Sequence, residues 1–160
     1  MRTDQTAGAA IASPLGAAAA GAALNAHAPY SRFRVGAAVL AEDDSVFVGC
    51  NVENVSFPEG TCAETAAISA MVVAGRREIV RIAIWSAGPD VCAPCGGCRQ
   101  RIAELGSPAT VIEVFRDDEL ALQTTLGALL PSCFGTASVE ANRAQVPGEP
   151  ERREDHQERI

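Results

Sequence analysis

The chain has 160 residues, of which 48% are hydrophobic, so it can bury one substantial core but not two. Its formal net charge of -7 argues against a nucleic-acid partner, because proteins that hold DNA or RNA neutralise phosphates with clustered cations. The alanine-rich residues 7–28 are too weakly apolar for a membrane span, and no export signal opens the chain. We therefore expect a cytoplasmic protein, without a membrane partner, whose six cysteines are thiols or metal ligands.

The first half of the chain predicts a helix, a hairpin and a second helix. In chain order, the predicted helix, two strands and helix cover residues 13–26, 33–40, 45–52 and 61–74. Ser13 and Pro14 suit the cap and the first position of the first helix. Thr61 is the predicted cap of the second helix, which should end at Gly75.

The second half predicts strands that alternate with helices. These elements are a strand, a helix, a strand and a short helix, over residues 80–85, 95–105, 109–115 and 124–130. Beyond Gly135 the sequence becomes polar and charged. We therefore expect one catalytic domain over residues 1–136 and a flexible charged tail over residues 137–160.

Two cysteine motifs indicate the chemistry of the chain. They are Cys62-Ala63-Glu64 and Pro94-Cys95-Gly96-Gly97-Cys98. Three thiolates can hold a tetrahedral zinc ion and leave its fourth position open for water, as in catalytic zinc sites. The carboxylate would act as a base on that water. Together the two motifs resemble the signature of zinc-dependent base deaminases.

Two simpler interpretations of these cysteines remain open. Cys95 and Cys98 could form a thioredoxin-like redox pair, although Cys62 and Glu64 would then have no role. A structural zinc site would need a fourth ligand, for which Cys92 is close enough in sequence. That second interpretation also leaves Glu64 unexplained.

The order of the elements places both motifs at the starts of predicted helices. A helix N-terminus offers unpaired N–H groups and a partial positive charge, which stabilise thiolates. Two helices on one face of a sheet would bring Cys62 next to Cys95 and Cys98. The expected fold class is therefore α/β, with a mixed β-sheet, helices packed on its faces and the metal between two helix starts.

The chain resembles the small, homotetrameric cytidine deaminases. Five matching stretches follow one another in order, within residues 29–38, 49–57, 62–64, 94–100 and 129–135. The resemblance implies a three-layer α/β/α fold, one zinc ion per chain on Cys62, Cys95 and Cys98, and a homotetramer with shared active sites. It also implies hydrolytic deamination of cytidine and 2'-deoxycytidine, with release of ammonia, in pyrimidine salvage.

The resemblance further implies roles for residues around the metal. Glu64 would carry protons, and the backbone of Ala63 would donate to the carbonyl group of the base. Phe33 would pack on the pyrimidine, with Phe134 reaching in from a neighbouring subunit. In a chain that is only 4% aromatic, two phenylalanines inside matching motifs are expected to contact the substrate.

Asn51 and Glu53 would bind the ribose 3'-hydroxyl group according to the same resemblance. They alternate with Val52, so both point to one face of an extended segment, and an amide beside a carboxylate suits a sugar diol. Taken without the resemblance, Asn51 also suits a turn or a helix cap, and Glu53 also suits a solvated surface.

One departure from the resemblance concerns charge. Thr65 follows Glu64, where these deaminases commonly have arginine. Three thiolates leave zinc with a net charge of about -1, so something positive should compensate. We expect the helix N-termini and Arg99, which directly follows Cys98, to supply this electrostatic support.

Two other functions fit the sequence less well. A deaminase of a modified or antibiotic aminopyrimidine nucleoside would share the zinc motif, but the segment 51–54 favours a plain nucleoside. A zinc-binding structural or interaction module would have no use for Glu64 beside an open coordination position.

Overall fold

A computed structural model of the chain describes residues 13–88, 90–135 and 139–140. The strands are β1 (Val35–Ala41), β2 (Val46–Cys50), β3 (Ile79–Ser86), β4 (Val111–Arg116) and β5 (Glu119–Thr125). The helices are α1 (Pro14–Ala23), α2 (Ala63–Val73), α3 (Gly96–Leu105) and α4 (Leu126–Leu129), with a 3-10 turn at Phe57–Glu59. The strands lie in the order β2-β1-β3-β4-β5. Three antiparallel pairs and one parallel pair among the described strands confirm the expected mixed sheet.

The connection that follows β3 places the second motif, residues 94–98, at one end of the sheet. β1 pairs antiparallel with both β2 and β3, β4 pairs antiparallel with β5, and β3 runs parallel to β4. A parallel pair needs a crossover, which α3 supplies. The carboxyl end of β3 therefore leads through residues 87–95 to the start of α3, where Cys95 lies.

Helices cover both faces of the sheet, as a three-layer α/β/α fold requires. α1 packs on one face over a core in which Leu15 and Phe115 are the largest buried residues among several alanines. α2 and α3 share a larger core on the other face, which includes Met71, Ile84 and Ile102. Because α2 and α3 lie on the same face, their N-termini can meet.

The helix starts follow the predictions with one correction. The Ser13 side chain caps α1 as expected, accepting a hydrogen bond of 3.2 Å from the helix backbone. Thr61 was wrongly predicted as the cap of α2, because Cys62 occupies that position. Thr61 instead pairs with Val52 through two backbone hydrogen bonds of 2.8 and 2.9 Å. Cys95 likewise occupies the N-cap position of α3, so each motif places a cysteine at a helix N-cap.

Strand β5, at the edge of the sheet, has no clear signal in the sequence. β5 is an edge strand whose residues are exposed or half-buried, so no apolar run marks it.

Of the predicted tail, residues 139–140 are described and the others lie outside the described residues, so the domain boundary stays a prediction. No described helix is long and apolar enough to cross a bilayer.

Candidate active site

Three thiols meet where the N-termini of α2 and α3 converge. The Sγ atoms of Cys62, Cys95 and Cys98 all lie within 4.8 Å of one another, and those of Cys62 and Cys95 are 3.9 Å apart. With Zn–S bonds of about 2.3 Å, a tetrahedral ion would hold its sulfur ligands about 3.8 Å apart. The three cysteines therefore fit zinc both in chemistry and in spacing. Cys92 is not part of this group, so the described site does not support a fourth thiolate ligand.

The electrostatics of the thiols also fit a cation. Burial raises the pKa of Cys62 and of Cys98, and the nearby Glu64 carboxylate raises both further. Burial acts in the same direction on Cys95, but hydrogen bonds from the Cys98 backbone and from neighbouring thiols outweigh it and lower the pKa of Cys95. Three thiolates in one place repel one another, so a divalent cation is the partner that this arrangement favours.

Glu64 is buried beside the thiols, in the first turn of α2. Its residue is only 5% exposed, and this burial raises the pKa of its carboxyl group, although a hydrogen bond from its own backbone partly opposes the shift. A carboxyl group with a raised pKa binds a proton more readily than an ordinary carboxyl group, which helps a group that must accept and then release protons. The position and the environment of Glu64 therefore suit proton transfer.

A cavity of about 660 Å³ opens beside the thiols, a volume within the usual range for small-molecule sites. Six residues predicted for the site line it: Asn51, Glu53, Cys62, Ala63, Glu64 and Cys95. Cys98 is fully buried and is not among the residues that line the cavity. The fold therefore joins a polar wall from the segment after β2 to the metal-binding and proton-transfer groups.

Asn51 holds the chain just before β1. Its Oδ1 accepts a hydrogen bond of 2.8 Å from the Val35 N–H, and its Nδ2 donates one of 2.9 Å to the Phe33 carbonyl. The amide keeps one N–H and one lone pair beyond these bonds. Asn51 thus has a structural role in addition to the predicted contact with a ligand.

Glu53 receives a similar set of bonds from the loop before β1. Its Oε2 accepts hydrogen bonds of 2.9 Å from the Tyr30 N–H and 3.2 Å from the Ser31 N–H. The Ser31 hydroxyl donates to Oε1, and this bond is the main cause that lowers the pKa of Glu53. Glu53 is therefore an ionised carboxylate at neutral pH that orders the rim of the cavity.

The two predicted aromatic contacts do not line the cavity within the described chain. The Phe33 ring lies against Gly88, with its Cε2 atom 3.4 Å from the position of an added Cβ atom. Phe134 is 62% exposed, and its carbonyl accepts a hydrogen bond of 2.7 Å from the Gln100 side chain. A single chain therefore leaves Phe134 facing outward.

An aromatic pair that the sequence did not predict lies at the cavity. Tyr30 and Phe57 both line it, with ring centroids 5.9 Å apart in an edge-to-face arrangement. Each residue belongs to a matching stretch, but nothing in the sequence indicates that the two rings touch. Cys92, considered only as a structural ligand, also lines the cavity.

Arg99 and Thr65 both lie close to the metal-binding cysteines in sequence or in space, but they make different contacts. Arg99 donates hydrogen bonds of 2.8 Å to the Pro94 carbonyl and 3.0 Å to the Leu129 carbonyl. These bonds connect the second motif to α4, and the electrostatic role of Arg99 stays a prediction. The Thr65 hydroxyl lies 3.9 Å from Cys98 Sγ.

Comparisons with known proteins agree with this geometry. A family model for the cytidine and deoxycytidylate deaminase zinc-binding region matches residues 13–114. The cytidine deaminase of Mycobacterium tuberculosis H37Rv is 40% identical over 122 residues, which cover 76% of this chain and 88% of that protein. The cytidine deaminase of Halalkalibacterium halodurans is 40% identical over 109 residues, covering 68% and 83%.

Solved structures give the same result. The crystal structure of cytidine deaminase from Burkholderia pseudomallei matches with a TM-score of 0.72 at 41% identity, covering 75% of this chain and 96% of that one. The crystal structure from Mycobacterium tuberculosis matches with a TM-score of 0.67 at 41% identity, covering 76% and 94%. The fold, the thiol group and the shared sequence agree, and the chain belongs to the cytidine and deoxycytidylate deaminase family.

Proposed function

We propose that the protein hydrolyses cytidine and 2'-deoxycytidine to uridine and 2'-deoxyuridine with release of ammonia. The observation that carries this proposal is a group of three thiols, two of which line the cavity together with a buried carboxyl group. The relatives described above are cytidine deaminases, which favours a plain nucleoside over an antibiotic substrate.

Cys62, Cys95 and Cys98 would hold the zinc ion, which when bound lowers the pKa of water and so supplies a hydroxide nucleophile near neutral pH. Glu64 accepts the proton that the attacking water loses and delivers it to ring N3 of the pyrimidine. As the C4–N bond breaks, Glu64 takes the remaining proton from the new C4 hydroxyl group and passes it to the departing amino group, which leaves as ammonia while C4 keeps a carbonyl oxygen. One water molecule is consumed for each ammonia released.

Ala63 would orient the base. It is the first residue of α2, and the first amides of an α-helix have no partner within the helix. Its N–H therefore suits the C2 carbonyl group of the pyrimidine. Phe33 remains our proposed packing surface for the ring, from its place beside Gly88.

The reaction is tested by following the loss of cytidine absorbance and the release of ammonia. Cytidine, 2'-deoxycytidine, cytosine and cytidine monophosphate are compared side by side with zinc-loaded protein. We expect turnover of the two nucleosides above that of the free base and the monophosphate. Zinc-loaded, folded protein that releases no ammonia from either nucleoside would overturn the proposal.

The proposed ribose contact predicts a substrate-dependent effect of Glu53→Gln. A hydrogen bond to a charged group contributes about 1.5–3 kcal/mol, so kcat/KM for cytidine should fall about 10- to 100-fold. The value for cytosine, which lacks the sugar, should change little. Glu59→Gln, at an exposed carboxylate on the neighbouring turn, is the matched control. An equal loss for cytidine and cytosine would assign Glu53 to ordering the loop alone.

We also propose a homotetramer whose active sites are shared between subunits. Several apolar side chains project from the single chain: Leu24, Val55, Phe57, Val73 and Phe134 are each more than 60% exposed. Symmetric assembly is the usual way to bury such surfaces. In this assembly the outward-facing Phe134 ring would enter the cavity of a neighbouring subunit.

Shared sites predict complementation between two impaired variants. Phe134→Ala should lower kcat/KM up to about tenfold, since an aromatic contact contributes about 0.5–1.5 kcal/mol. Coexpression of Phe134→Ala chains with Glu64→Gln chains should give mixed tetramers in which some sites contain both native residues. Their activity should exceed the mean of the two single variants. A fully active monomer in sedimentation experiments, or no gain on coexpression, would contradict shared sites.

The reaction places the enzyme in pyrimidine salvage. A cytoplasmic location suits its cysteines, all six of which are free thiols. We assign residues 137–160 to an appendage outside the catalytic domain, since every proposed site residue lies between Phe33 and Phe134.

A further inference from the structure

Cys98 differs from the other two thiols in its surroundings. Its residue is fully buried in the first turn of α3, whereas Cys95 is exposed and Cys62 is half-buried. Burying an anion is costly unless hydrogen-bond donors surround it. Among the three sulfur atoms, that of Cys98 therefore gains most from a donor supplied by the protein.

Thr65 has the hydroxyl group that reaches this sulfur. It is the third residue of α2, and its Oγ1 atom lies 3.9 Å from Cys98 Sγ, within reach for a bond to a large sulfur atom. Cys98 is a thiolate when it holds zinc, and a thiolate can only accept, so in the zinc-bound protein Thr65 would be the donor. The contact also joins α2 to α3, the two helices that carry the metal-binding cysteines.

The two arginines of α3, Arg99 and Arg101, make other contacts than Thr65 does. Arg99 is bound to the carbonyls of Pro94 and Leu129, on the side that faces α4. Arg101 is exposed, and its Nη1 atom lies over the helix backbone, 3.0 Å from the position of an added Cβ atom on Gly97. Thr65 instead approaches the buried sulfur from the opposite helix.

We propose that Thr65 is a positioning residue of the metal centre, whose hydroxyl group donates to the Cys98 thiolate and slows the loss of zinc. This inference rests on the proposed function, because both require that the bound ion is zinc. Because the hydroxyl is neutral, it orients and stabilises one ligand without adding a charge near Glu64. Loss of such an outer hydrogen bond typically weakens metal binding about 10- to 100-fold.

The test measures zinc release from the zinc-loaded protein to a chromogenic chelator. Thr65→Val keeps the branched shape without the hydroxyl, and we expect zinc release about 10- to 100-fold faster than in the wild type. Thr65→Ser restores the hydroxyl and should release zinc at nearly the wild-type rate. Ser69→Ala removes an exposed hydroxyl from the same helix and should leave the rate unchanged.

The outcomes separate this inference from the proposed function. Wild-type rates in both Thr65 variants, or equally fast release from both, would overturn the hydrogen bond as the cause. Thermal unfolding of each variant after zinc removal shows whether packing has changed, since the hydroxyl contact should matter only when the thiolate is present. Wild-type protein that binds no zinc would overturn the proposed function together with this inference.

Discussion

Replacing Glu64 with Gln is expected to lower kcat for cytidine by at least about 10²- to 10⁴-fold, the usual contribution of one general acid–base group. The amide has nearly the same shape as the carboxyl group but cannot accept and return a proton. The variant should remain folded because the substitution keeps the volume of a residue that is only 5% exposed. It should also keep its zinc, since the Glu64 charge raises the pKa of Cys62 and Cys98 and its removal relieves that repulsion.

The measurement combines kcat at saturating cytidine with metal content and near-ultraviolet circular dichroism. Glu104→Gln, at an exposed position on α3, provides the control for loss of a carboxylate on a neighbouring helix. A near-normal rate in Glu64→Gln, with zinc bound, would remove Glu64 from the mechanism. Loss of zinc along with activity would instead show that the carboxyl group supports the metal-binding cysteines.

The Gly36→Ala substitution is expected to lower the free energy of unfolding by about 3 kcal/mol, at the upper end of the cost of overpacking. A Cβ atom at Gly36 would lie 1.9 Å from the Ala19 carbonyl oxygen and 2.6 Å from the Ala23 nitrogen. Both are backbone atoms of α1, so no side chain can turn aside, and the helix would have to move off the sheet.

Gly21→Ala is the matched control because it makes the same chemical change within α1. Nothing lies within 4 Å of a Cβ atom added at Gly21. Alanine in a helix is favoured over glycine by about 0.5–1 kcal/mol, so this variant should be slightly more stable than the wild type. Urea denaturation measures both. Similar free energies of unfolding for the two variants would show that α1 does not pack tightly on β1.

Local patterns in the sequence were sufficient to predict most elements. Helices α1 to α3 and strands β1 to β4 appear close to their predicted positions, because caps, glycines and apolar runs mark them locally. β5 lacks such a mark, since an edge strand buries too little of either face. The error at Thr61 has a tertiary cause: its backbone pairs with Val52, so the helix begins one residue later.

For the site, the sequence by itself determined the chemistry. Thiols and a carboxyl group at this spacing indicated zinc and proton transfer, and helix N-termini were the expected location. Only the fold decided that Cys62, Cys95 and Cys98 come within 4.8 Å, because α2 and α3 pack on the same face of the sheet. Tertiary structure likewise decided the partners of Asn51, whose side-chain amide bonds to the backbone of Phe33 and of Val35, the first residue of β1.

The aromatic residues show most clearly where local information ends. The family resemblance implied contacts for Phe33 and Phe134, which stay predictions, whereas the folded chain lines the cavity with Tyr30 and Phe57. The chemistry of a residue type is a local property, so a motif can reveal it. The position of a ring depends on the loop that carries it and on whatever packs against that loop, and those contacts come from distant parts of the chain.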